Sequence, residues 1–142
     1  MLARLKVRDA ILLTVLALSV GAAAGEQPAF VVRRPTIVAF FPPAKQAELA
    51  TDADTNEALA DFQVYATRVR EPLRKLGVDF HEVYAKSFKV RIGTTTTTFR
   101  PRKITVGYYF VALGKKPRVE YGVITDSDIL EIAKQYFGTA GK

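Results

Sequence analysis

TIVAFFPPAKQ, residues 36–46, runs an unbroken apolar stretch into two prolines. Thr36 to Phe41 is too apolar for a half-exposed strand, and such a run belongs to a central strand covered on both faces. Pro42 and Pro43 stop it, because proline has no N–H to give to the ladder. Pro43 also suits the first position of a short helix through Ala50. A buried strand that passes straight into a helix start points to an α/β fold.

The remaining elements follow outward from that junction. Phe30 to Val32 begins a short strand, which Arg33-Arg34-Pro35 interrupts. Leu59, Phe62, Ala66, Val69, Leu73 and Leu76 recur at helical spacing and form one apolar stripe. Asp52, Asp54 and Glu57 stand at the N-terminal end of that helix, where the dipole favours negative charge. Arg74, Lys75 and Gly77 are its stop signals. Pro72 lies inside the pattern and is expected to kink or divide the helix near Arg70. Val78 to Tyr84 reads as a strand, and Ser87 to Ile92 and Thr94 to Phe99 as extended segments around Gly93. The five threonines Thr94 to Thr98 are β-branched and suit an edge strand or hairpin arm. Ile104 to Leu113 and Arg118 to Ile124 form a hairpin about the turn at Gly114. Thr125 caps a closing helix, with Asp128 in capping-box position, and Gly138 ends it.

The first residues set the expected location. Arg4, Lys6 and Arg8 precede an uncharged run from Ala10 to Gly25, and Ala22-Ala23-Ala24 offers small residues for cleavage. This pattern is that of a signal peptide cleaved after Ala24, which places the mature chain in the periplasm or outside the cell. The uncharged run is shorter than the roughly 20 residues a membrane span needs, so no integral span is expected after cleavage. The remaining residues, 25–142, amount to one domain. With no cysteine anywhere, that domain has no disulfide to staple it and depends on its core.

Charge is uneven along the chain. The whole sequence has 21 basic and 14 acidic residues. Without Arg4, Lys6, Arg8 and Asp9, 18 basic and 13 acidic remain. No acid lies between Glu82 and Glu120, while Lys86, Lys89, Arg91, Arg100, Arg102, Lys103, Lys115, Lys116 and Arg118 all do. These nine are the candidate binding residues for an anionic partner, since clustered cations steer such partners. The bland counterpart is a solvated face, the ordinary fate of a charge cluster. Lys115, Lys116 and Arg118 flank the hairpin turn, and their side chains are expected to project into solvent together and add little stability.

The order of strand, helix, strand, antiparallel hairpin and terminal helix resembles the thioredoxin-like superfamily. GYYFVALGKKPRVEYGVITDSDILEIAKQYF, residues 107–137, is similar to the thioredoxin ending, and TIVAFF to its first central strand. The resemblance covers about two-thirds of the mature chain and implies a mixed sheet with a C-terminal hairpin and closing helix. Three departures accompany it. Pro42, Pro43, Ala44 and Lys45 stand roughly where the redox Cys-x-x-Cys would be. Pro101 is the sole candidate for the family's cis-proline. Ala85 to Phe99 is longer and more β-like than the family's helix there. The resemblance therefore implies a degenerate member without thiol chemistry.

Other chemistry is sparse. DADTNE, residues 52–57, is similar to the first half of a calcium loop, but the sixth and twelfth positions, where glycine and glutamate belong, are Glu57 and Gln63. Helix-capping acids are the preferred reading. Asp126-Ser127-Asp128 reads likewise as first-turn acids. His81 is the only histidine and has no recognisable catalytic partner, so a structural role is expected. Neither a metal nor a cofactor is expected, and an exported domain rarely meets nucleic acid.

Three readings result. The first is an exported, non-catalytic thioredoxin-like binding or accessory protein of the cell envelope, with an envelope protein as its partner. The second is a basic module that docks on anionic membrane or cell-wall polymer. The third is a small enzyme with no recognisable motif.

Overall fold

The computed structural model describes residues 27–43, 52–102 and 105–138. The signal segment, the continuation of the helix begun at Pro43, and Lys103 lie outside the described residues. The described residues are mixed α/β, with seven strands in two mixed sheets and two long helices. The strands are β1 (Ala29–Val31), β2 (Thr36–Phe40), β3 (Asp79–Val83), β4 (Phe88–Ile92), β5 (Thr95–Phe99), β6 (Gly107–Val111) and β7 (Arg118–Tyr121). Helix α1 spans Ala53–Lys75 and α2 spans Asp126–Phe137.

The larger sheet has the order β3-β2-β6-β7, with β2 and β3 parallel and the other pairs antiparallel. β2 is central and every residue of it is buried. Its alternate side chains enter two different cores. Ile37, Ala39 and the following Phe41 pack with Phe62, Val69 and Leu73 of α1 and with Ile129 and Ala133 of α2. Val38 and Phe40 point the other way, into a core shared with Val32, Val83, Phe88, Val90, Tyr109 and Val111.

That second core explains why β2 reads as apolar on both faces. Its cover is another sheet, of order β1-β4-β5, with β1 parallel and β5 antiparallel to β4. An aromatic cluster seals the join: the Phe99 ring centroid lies 4.7 Å from that of Tyr109 and 5.4 Å from that of Phe40, and Phe88 lies 5.6 Å from Tyr109. Offset and tilted ring pairs of this kind add to the stabilisation from burial alone. The order of layers is helices, four-stranded sheet, three-stranded sheet.

Helix α1 is one continuous helix through Pro72. The expected division near Arg70 does not occur, because Pro72 falls in the last turn and displaces only one hydrogen bond close to the end. The termination is a Schellman arrangement. Gly77 adopts φ +75°, its N–H donates to the Arg74 carbonyl, and the Val78 N–H donates to the Leu73 carbonyl at 3.0 Å. At the other end Asp52 is the N-cap, its carboxylate accepting from the Asp54 N–H and the Thr55 hydroxyl. Thr125 caps α2 by accepting from the Asp128 N–H. No peptide bond among the described residues is cis, that of Pro101 included. Among the described residues, no helix is long and apolar enough to cross a membrane.

Candidate functional site

The three-stranded sheet shows its outer face to solvent. In β4 the pattern is strict: Phe88 and Val90 are buried, and Lys89 and Arg91 between them are exposed. Register then fixes their neighbours. Lys89 sits between Ala29 of β1 and Thr98 of β5, and Arg91 between Val31 and Thr96. The face is thus two parallel rungs, each an apolar residue, a cation and a threonine. Strand spacing sets neighbours within a rung about 4.8 Å apart, and the rise of two residues along β4 sets the two cations about 6.6 Å apart. All six side chains belong to exposed residues, and Val31 is 54% accessible. The Arg91 Nε donates to the Gly93 carbonyl at 3.0 Å, which holds the guanidinium at the rim.

Charge separates by layer. β1, β4 and β5 contain no Asp or Glu, and neither do the described residues joined to them at 27–34 and 84–102. The acids of the described residues lie on α1, α2, β3 and β7 or at their caps. With no acid in its own layer to neutralise it, the cationic face presents a net positive field to solvent.

The eight of the nine basic residues that are described do not form one patch. Lys89 and Arg91 share the outer sheet face. Lys86 is exposed in the β3–β4 connection, and Arg100 is exposed just beyond β5. Arg102 packs its guanidinium over the Tyr121 ring at 5.0 Å, and its backbone N–H donates to the Tyr121 hydroxyl. Lys103 lies outside the described residues. The turn residues belong to the opposite side of the four-stranded sheet. Lys115 Nζ donates to the Tyr136 carbonyl near the C-terminal end of α2 and lies 5.5 Å from the Tyr136 ring centroid. The Tyr136 hydroxyl in turn donates to the Lys116 carbonyl at 2.8 Å. Arg118 Nε bonds the Glu120 carboxylate at 2.6 Å. Lys115 and Lys116 are exposed as expected, whereas Arg118 is half-buried; Lys115 and Arg118 are also tied to the helix end and to the neighbouring strand position. The alternation in FKVRI was the signal that separates Lys89 and Arg91 from the rest.

The other candidate groups have local duties. His81 faces the inter-sheet core and stacks on Phe30. Burial pushes its pKa below the ordinary 6.5; the Asp79 carboxylate opposes that shift and the Arg70 guanidinium adds to it. The Tyr108 hydroxyl reaches the Ile124 carbonyl at 3.4 Å, and burial pushes its pKa up to about 12. Where β2 meets α1, a shallow hollow of about 320 Å³ is lined by Phe41, Asp52, Thr55, Thr105, Val106 and Val123. Asp54 also borders it; of the polar side chains there, Asp52 and Thr55 are engaged in the helix cap and Thr105 by the Arg102 carbonyl.

No protein-family model, curated protein or solved structure matches the chain.

Proposed function

We propose that the chain is an exported, non-catalytic binding protein of the cell envelope, built on a thioredoxin-like frame. On this reading it meets an acidic partner protein through the outer face of the three-stranded sheet. The frame is supported by the order β3-β2-β6-β7, with β2 and β3 joined through α1 and the β6–β7 hairpin followed by α2. Where the resemblance implies a helix after β3, this chain has the β4–β5 hairpin instead.

The single observation that carries the reading is the acid-free cationic face around Lys89 and Arg91. Uncompensated cations on a flat face raise the local concentration of anionic partners and speed their encounter. The test is binding of the wild type and the Lys89→Glu/Arg91→Glu variant to immobilised poly-glutamate at low and high salt. The wild type should bind and release as salt rises, because exposed charges are screened over about 8–10 Å near physiological ionic strength. The double variant should bind about tenfold or more weakly. Absence of wild-type binding at low salt would overturn the proposal.

Val31, exposed beside Arg91, favours one second reading, in which the same face settles on an anionic lipid surface. Salt-sensitive binding to phosphatidylglycerol vesicles without binding to poly-glutamate would select it. Export itself is tested by intact mass, which should correspond to a chain beginning at Gly25.

A further inference from the structure

We infer that the outer edge of β5 accepts an extended acidic segment of the partner as an added strand, an inference that rests on the anionic-partner reading above. Among the described residues β5 pairs with β4 alone, and Thr95, Thr96, Thr97 and Thr98 are all exposed. An edge strand of this kind offers a row of backbone N–H and C=O groups as a template for another chain.

The four sheet edges differ in how they are protected. β3 carries Asp79, His81 and Glu82, and β7 carries Arg118 and Glu120, so charge guards both. β1 is three residues long, with Pro28 before it and Arg33-Arg34-Pro35 after it. β5 has five residues, no charge, no proline and no glycine. Proteins ordinarily blunt such an edge with lysine, proline or a bulge. Leaving this one open is a feature of the strand that borders the cationic face.

Charge decides the occupant. A strand added beside β5 sends alternate side chains to the outer face, next to Thr96 and Thr98. Lys89 and Arg91 are then two strand spacings away, about 10 Å, a gap that a long cationic stem and a glutamate stem close above the short threonines. Arg100, exposed immediately beyond β5, extends the same complementarity past the strand end. A second copy of this chain fits poorly, since pairing β5 with β5 sets two acid-free cationic sheets side by side.

The probe is a ten-residue peptide of alternating threonine and glutamate, compared with the same peptide N-methylated at every backbone nitrogen. The two have equal charge, but only the first can donate strand hydrogen bonds. The unmodified peptide should bind the wild-type chain about tenfold or more tightly than its methylated form, as the loss of two or three net hydrogen bonds would give. Amide hydrogen exchange at Thr95–Thr98 should slow in its presence. Equal affinity of the two peptides would overturn strand addition while leaving the anionic-partner reading intact. Failure of both peptides and of poly-glutamate at low salt would overturn both proposals. A concentration-dependent dimer with slowed β5 exchange in the absence of peptide would assign the edge to a second copy and overturn this inference alone.

Discussion

The imidazole of His81 stacks on the ring of Phe30, with centroids 4.6 Å apart and planes inclined by 28°. His81 belongs to β3 at the edge of the four-stranded sheet, and Phe30 to β1 of the other sheet. The contact therefore ties the two sheets together at one edge, while Phe99 and Tyr109 tie them further across. Backbone pairing cannot join two stacked sheets, so side-chain contacts of this kind carry the join.

Acid should loosen that join. Burial holds the His81 pKa below its ordinary value, so the folded chain binds a proton there less readily than the unfolded chain. Stability from this group is fully present above the unfolded pKa of 6.5 and is lost as pH falls from there toward the lower folded value. Denaturation midpoints measured between about pH 7.5 and about pH 5 should fall more for the wild type than for His81→Phe, which keeps a stacking ring without the titration. Parallel pH profiles would show that His81 does not contribute.

Phe40 should be among the most costly residues to truncate. It is fully buried on β2, inside the aromatic cluster of the inter-sheet core. Phe40→Ala should cost about 3–5 kcal/mol, a large share of a small domain's stability, read as a shift in urea midpoint.

Gly107 is confined by the same packing. A Cβ there would lie 2.4 Å from the Glu120 carbonyl oxygen and 2.8 Å from Cζ of Phe40. Gly107→Ala should therefore destabilise by about 1–3 kcal/mol, the range for overpacking, although its backbone conformation suits any residue. Chemical denaturation checks it.

Two ion pairs made by arginines of α1 should behave differently. Arg70 bonds Glu82, whose side chain is only 19% exposed and also accepts from the Tyr84 hydroxyl at 2.8 Å. Arg70 also lies over the Phe80 ring at 5.2 Å. Arg74 and Glu71 pair in the open, at 70% and 58% exposure. Arg70→Ala leaves a largely covered carboxylate with only the Tyr84 hydroxyl and should cost about 1–2 kcal/mol. Arg74→Ala should leave the denaturation midpoint nearly unchanged, because water and salt screen so exposed a pair.

The hairpin turn should prove structural. Tyr136→Phe removes the hydroxyl that donates to the Lys116 carbonyl and should cost about 0.5–1.5 kcal/mol in thermal or chemical unfolding. Lys115→Glu places a negative charge near the C-terminal end of α2, where the dipole disfavours it, and should destabilise further. Unchanged midpoints for both would return these residues to the class of solvated turn positions.

Local order was legible in the sequence because local rules govern it. The stripe from Leu59 to Leu73 specified α1, the capping acids and Gly77 marked its ends, and TIVAF could only be a strand covered on both sides. Those signals depend on residues within a few positions of one another. Pro72 shows the limit of such reading, since its effect depended on where the helix ended, which the Gly77 turn decided. The identity of the second cover was not legible, because an apolar face does not specify whether a helix or a sheet will fill it. Only tertiary structure set the β1-β4-β5 sheet against Val38 and Phe40. The nine basic residues form one run in the chain, and the described ones separate in space, because strand alternation turns Lys89 and Arg91 outward while the β6–β7 hairpin carries Lys115 and Arg118 to the helix side. Sequence determined the charge; the layering of two sheets determined which surface carries it, since a side chain's direction follows from register and packing partners far away in the chain.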